Sequence, residues 1–181
     1  MLCEVMRRLL LFRHAKATRS GRGIEDRPRA LIERGHKDSA TIGAYIAEDA
    51  LIPDRVLVSP AVRTQETWRF SAPEFRTAVN VETVEALYDA TAEGILAVLK
   101  ETPSSVHSLL VIAHNPGLHE LALMVIGSGN VNARARLIEK LPTAGLVVID
   151  FAIDDWRELR RESGRLDRYI TPKHLKTGRG R

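Results

Sequence analysis

A chain of 181 residues with 27 Lys+Arg against 23 Asp+Glu carries a formal net charge of +4, and its 44% apolar, 28% charged composition is that of an ordinary globular protein. This excludes a disordered chain, and a lone cysteine, Cys3, excludes an intrachain disulfide, so a reducing, cytoplasmic setting is expected. No apolar run approaches the roughly 20 residues needed to cross a bilayer, and the four apolar residues after Arg7-Arg8 meet Arg13-His14 too soon for a secretory segment. The charge is uneven: residues 1–156 sum to −2 and residues 157–181 to +6. The expectation is one domain over about residues 8–175 with a frayed, basic tail at 176–181. That tail has no aromatic residue for base stacking, so no specific nucleic-acid partner and no membrane are expected.

In chain order, residues 9–12 (LLLF) form a short continuous apolar run, the pattern of a strand covered on both faces. Residues 16–29 are polar, rich in Gly and Arg, and read as a loop. From 33 to 49, Ile42, Tyr45 and Ile46 recur at helical spacing. Residues 55–58 make a second strand ending at Ser59-Pro60, with Ser59 as expected N-cap and Pro60 as first residue of a helix running to 70. A strand at 79–87, a helix at 91–101 and a strongly apolar strand at 109–113 follow. Residues 118–126 read as helix, 127–130 as its break, 146–151 as a strand and 165–170 as a weaker edge strand. Alternating strands and helices predict an α/β sandwich on a mostly parallel sheet.

Ligands of such sheets bind beyond the carboxyl ends of the strands. Three predicted strands deliver polar groups there: Arg13-His14 from the first, Ser59-Pro60 with Arg63 from the second, and His114 from the strand at 109–113. Each of these residues alone has an ordinary structural reading, as His36, His107, His119 and His174 do. Together, two arginines and two histidines from distant segments predict a phosphoryl ligand, because the planar guanidinium fork matches phosphate oxygens. The histidines lack metal-ligand spacing and the glycines lack the P-loop pattern, so neither metal nor nucleotide cofactor is expected.

Residues 9–17 (LLLFRHAKA) resemble the R-H-G/A signature of the histidine phosphatase superfamily, which includes the cofactor-dependent phosphoglycerate mutases. The run from Ser59 to Thr67 (SPAVRTQET) resembles its S-x-x-x-R-[ST]-x-x-T block, and Ala113-His114-Asn115-Pro116-Gly117 its late histidine block. The H-N-P-G wording, the R-H-A-K start and Leu141-Pro142-Thr143-Ala144 look most like SixA-like phosphohistidine phosphatases, and the likeness runs from about residue 9 to 175. It implies a phosphoglycerate mutase-like three-layer sandwich. It also implies a metal-independent phosphatase with His14 as nucleophile and Arg13, Arg63 and His114 completing the phosphate pocket. The leaving-group acid stays open between Asp89, Glu85 and no acid at all.

Little chain is left for a lid, so the resemblance implies an open pocket that admits a phosphohistidine on a signalling or phosphotransfer protein. A small phosphate ester is the alternative substrate, and a non-catalytic phosphate-binding module the alternative role. Inorganic phosphate is the expected product. Lys16, Arg19 and Arg22 are candidates for a basic rim facing an acidic partner. Met1 and Met6 are equally good translation starts.

Overall fold

The computed structural model describes residues 6–178. Cys3, the Met1 start and the last three residues of the basic tail lie outside them. In chain order the elements are β1 (Met6–Arg13), α1 (Glu33–Glu48), β2 (Arg55–Val58), α2 (Val62–Ser71), β3 (Asn80–Thr83), α3 (Ala92–Lys100), β4 (Ser108–Ala113), α4 (Gly117–Val125), β5 (Ile126–Gly129), α5 (Val131–Glu139), β6 (Leu146–Ala152), β7 (Gly164–Ile170) and α6 (Pro172–Lys176). Among the described residues the strands form one seven-stranded sheet in the order β3-β2-β4-β1-β6-β7-β5. Only β6 runs against the others, being antiparallel to both β1 and β7.

The three layers follow from side-chain alternation along the central strands. In β1, Leu9 and Leu11 join the cluster that holds Ile95 and Leu99 of α3, Leu118 and Leu121 of α4 and Leu137 of α5. Leu10 and Phe12 point the other way, into the cluster of Ile42, Tyr45 and Ile46 from α1 with Phe75. β4 divides likewise, Leu109 and Val111 to one face and Leu110 and Ile112 to the other. Strands covered on both faces need no polar side, which is why these runs read as continuous apolar sequence. α1 approaches α2 closely at Gly43, where a Cβ would stand 2.5 Å from the Ser71 carbonyl oxygen.

Several elements differ from the sequence expectation. The third strand is only four residues long, because residues 85–87 turn into a short 3-10 helix. The expected break at 127–130 is the edge strand β5, and α5 after it was not anticipated; Asn130 caps that helix by accepting from Ala133 N–H at 2.9 Å. β7 is not an edge strand, since β5 pairs outside it. Ser59 is not the N-cap of α2, which starts at Val62 after Ala61 without a side-chain cap.

The basic C-terminal segment is largely built into the fold. Arg168 on β7 pairs with Asp49 at 2.5 Å and Asp167 at 2.8 Å, and Lys176 reaches Asp38 at 3.2 Å. Arg157 pairs with Asp155 at 2.7 Å. The +6 of residues 157–181 is therefore not one free cationic patch. No helix among the described residues is long and apolar enough to cross a membrane.

Candidate active site

The parallel strands β1, β2 and β4 end side by side, and their carboxyl ends open into a pocket of about 720 Å³. Arg13, His14, Arg63 and His114 all line it, as does Asp89, together with Asp26, Arg29, Tyr88, Asn115 and Thr143. Of the expected basic rim, Lys16 and Arg19 are present and Arg22 is not; Arg29 stands there instead.

The backbone fixes His14 tightly. Its N–H donates to Ala113 O on β4 at 3.2 Å, and the next amide, Ala15 N–H, donates to Thr67 Oγ1 at 3.0 Å. Thr67 in turn donates to Arg63 O at 2.6 Å, so the last threonine of the SPAVRTQET run ties α2 to the histidine loop. Within the ring, Nδ1 lies 2.8 Å from Ala15 O. A carbonyl oxygen only accepts, so Nδ1 carries the proton, and in a neutral ring Nε2 holds the free lone pair. The ring is neutral: burial, helped by the charges of His114, Arg63 and Arg13, lowers its pKa to about 3 against the opposing bond to Ala15.

His114 lies across the pocket, its ring centroid 5.3 Å from that of His14. Its Nε2 is 2.7 Å from Ser59 Oγ. This contact is why Ser59 does not cap α2: the hydroxyl is spent on the histidine, and the first amide of α2, Val62 N–H, donates to Arg27 O. Burial first and the Arg63 charge second lower the His114 pKa to about 4. Its Nδ1 has no partner among the described residues; if Ser59 donates to Nε2, that Nδ1 keeps its proton as a donor.

The two arginines are held differently. Among the described residues the Arg13 side chain makes one bond, Nη1 to Leu141 O at 2.8 Å. Arg63, only 5% exposed, is gripped by Asp26: Nη1 donates to the Asp26 carbonyl and Nη2 to Asp26 Oδ2, both at 2.8 Å. Asp26 also accepts from Arg29 Nε at 2.9 Å and from Tyr88 OH at 2.8 Å. Burial opposes its ionisation, but the bonds from Tyr88 and Arg63 and the charges of Arg63 and Arg29 prevail and bring its pKa to about 2. Sequence reasoning missed this residue, because a carboxylate in a polar loop gives no periodic or motif signal. Arg29 and Tyr88 were missed for the same reason.

Asp89 reaches the pocket in a left-handed backbone conformation, φ +52°. The alternative carboxylate, Glu85, is exposed and paired with Arg27 outside the pocket. The Tyr88–Asp89 segment is set close by Gly117: a Cβ there would lie 1.9 Å from Ala90 O, so only glycine lets the start of α4 pack against this loop. Among the described residues, no group of three His, Cys, Asp or Glu side chains is placed to hold a metal ion. The pocket instead gathers hydrogen-bond donors and positive charge, the chemistry of an anion site.

No family model matches the chain. A protein of Mycobacterium leprae, itself uncharacterised, is 31% identical over 166 residues, spanning 89% of this chain and 99% of that one. Among solved structures, the protein assigned as phosphohistidine phosphatase SixA from Agrobacterium tumefaciens matches with TM-score 0.77 at 27% identity, covering 92% of this chain and 98% of that one. A SixA assignment from Nakamurella multipartitia matches with TM-score 0.80 at 22% identity, over 92% of this chain and 96% of that one. The R-H, S-x-x-x-R and H-N-P-G segments fall on one pocket of a sheet shared with these proteins, and the chain thus belongs to the histidine phosphatase superfamily, with SixA-like proteins as its structural neighbours.

Proposed function

We propose that the protein is a phosphohistidine phosphatase that works through a phosphorylated His14. The observation that carries this reading is the pairing of a neutral His14, its Nε2 without a hydrogen-bond partner among the described residues, with Arg13, Arg63 and His114 around one pocket. A neutral imidazole can attack phosphorus, and it replaces one hard displacement by two easier ones.

In the first step the Nε2–P bond forms as the bond from phosphorus to the leaving nitrogen breaks, and that nitrogen keeps the electron pair. A phosphohistidine substrate protonated at its distal ring nitrogen leaves as neutral imidazole, so no strong acid is needed. For an ester substrate the leaving oxygen would need a proton, and Asp89, which lines the pocket, is the carboxyl we assign to supply it. Arg13, Arg63 and His114 stabilise the charge spread over the transferring phosphoryl oxygens, by positioning and electrostatics. In the second step water adds its hydroxyl to phosphorus, its other proton passes to solvent, and the Nε2–P bond pair returns to His14. Nδ1–H stays on Ala15 O throughout. The products are inorganic phosphate and neutral enzyme.

The deciding measurement compares kcat/KM on a phosphohistidine-bearing phosphotransfer protein with kcat/KM on a panel of sugar and nucleotide phosphates. A clear preference for the phosphohistidine protein is expected; preference for a small ester would replace this reading by a phosphomonoesterase of the same superfamily. Acid-labile label should be trapped on the wild type and be absent from His14→Ala. No label and no turnover in the wild type would leave a phosphate-binding module.

A further inference from the structure

We infer that Asp26 is a positioning residue for the phosphoryl-transfer step, acting through Arg63. This rests on the phosphatase reading above and goes beyond it, since none of the superfamily motifs found in the sequence contains Asp26. Arg63 sits on the first turn of α2, a long side chain with several rotatable bonds whose charged head must be held at the pocket wall. Two bonds from one residue, to the Asp26 carbonyl and to its carboxylate, fix both the position and the plane of the guanidinium. Each terminal nitrogen keeps a second N–H, so the grip does not exhaust the donors an oxyanion needs.

Asp26 is itself held from three sides. Arg29 Nε and Tyr88 OH add to the Arg63 pair, Arg29 N–H closes a turn onto the Asp26 carbonyl at 3.3 Å, and Arg29 Nη1 is tied to Thr18 O at 2.9 Å. Beside it the Arg27 guanidinium lies 4.8 Å from the centre of the Tyr88 ring. The loop after β1 and the Tyr88–Asp89 segment therefore meet at this carboxylate, which joins three parts of the pocket wall. A negative charge inside an anion pocket opposes anion binding. Its presence is accounted for by what it holds: a fixed Arg63 favours the transition state, in which geometry is strict, more than the bound ground state, which a loose arginine can still follow.

The test is a double-mutant cycle in the full-length protein, using Asp26→Asn, Arg63→Ala and the double variant, read on the best substrate from the comparison above. Asp26→Asn is expected to lower kcat by about 10- to 100-fold, while the Kd for inorganic phosphate is unchanged or tighter because a repelling charge is gone. In the Arg63→Ala background the same change should cost under about twofold, since the group it positions is absent. A kcat within twofold of wild type in Asp26→Asn would overturn the inference. So would an undiminished cost without Arg63, or a fall in phosphate affinity that matches the fall in kcat, each assigning Asp26 a role of its own. His14-dependent turnover in the wild type with any of these results removes the Asp26 inference alone; a wild type without turnover removes both readings.

Discussion

Strands β1 and β4 lie side by side in register, Arg8 opposite Ser108 and Arg13 opposite Ala113, so each end of the pair carries arginine and histidine together. At the amino end are Arg7 and His107; at the carboxyl end are Arg13, His14 and His114. The side-chain types match and the outcomes are opposite. Arg7, 3% exposed, donates through Nη2 to Ser104 O at 2.6 Å and to Asp154 O, and its Nη1 stands 2.5 Å from His107 Nδ1. Carbonyl oxygens from two loops satisfy Nη2 and the His107 ring engages Nη1, so the cluster is a clasp. At the other end Arg13 has one carbonyl, and its neighbours in the pocket are chiefly further donors. What separates a site from a clasp is therefore the supply of acceptors brought by the surrounding loops, not the buried arginine or histidine itself.

The sharpest way to break this comparison is to remove one histidine from each end. His14→Ala should lower kcat/KM by roughly 10⁴-fold or more, the scale of losing a nucleophile, the role proposed for it, with thermal unfolding still cooperative. His107→Ala should leave kcat/KM within about twofold, the resolution of the assay, because an amino-end group touches no reacting atom. Comparable losses from both would mean that the two ends are coupled and the distinction fails. Next in size is the arginine at the carboxyl end. Arg13→Met should cost about 10²- to 10³-fold in kcat, as for removing one oxyanion donor, with little change in the urea midpoint.

That difference between the ends was only partly legible in the sequence. Apolar runs at residues 9–12, 55–58, 109–113 and 146–151 gave the central strands, because double-sided burial leaves an unmistakable pattern. The four pocket residues were legible because each stands at a strand end or one turn into the following helix. β5 was not legible: Ile126-Gly127-Ser128-Gly129 looks like a helix stop, and only pairing with β7, a tertiary contact, makes it a strand. The role of Ser59 was misread for a related reason, since a serine before a proline is a good cap locally and His114 arrives from 55 residues away. Asp26 and the Arg7 clasp lie further out of reach, because their partners come from loops whose course no periodicity encodes.

The amino-end arginine then tests stability where Arg13 tests rate. Arg7→Met should leave kcat/KM within about twofold but lower stability by about 2 kcal/mol, read from urea unfolding, because it strands the Ser104 and Asp154 carbonyls. If rate fell with stability held, the clasp would be part of the site.

The smallest expected effect separates the causes that keep the pocket histidines neutral. Burial first, then neighbouring positive charge, lowers His14 to about 3 and His114 to about 4, below the ordinary 6.5. The unfolded chain takes up protons as pH falls through about 6.5 while these folded histidines do not. The stability they contribute is thus complete above that pH and is lost progressively as pH falls towards 4, by about 1 kcal/mol per pH unit for each histidine. Urea midpoints between pH 6 and 5 should fall in the wild type, and fall less steeply in His14→Ala. Arg13→Met removes one repelling charge from both rings but leaves them buried, so it should flatten that slope only slightly. If the slope instead disappeared in Arg13→Met, arginine charge rather than burial would be the dominant cause, and the pocket would hold His14 neutral by electrostatics alone.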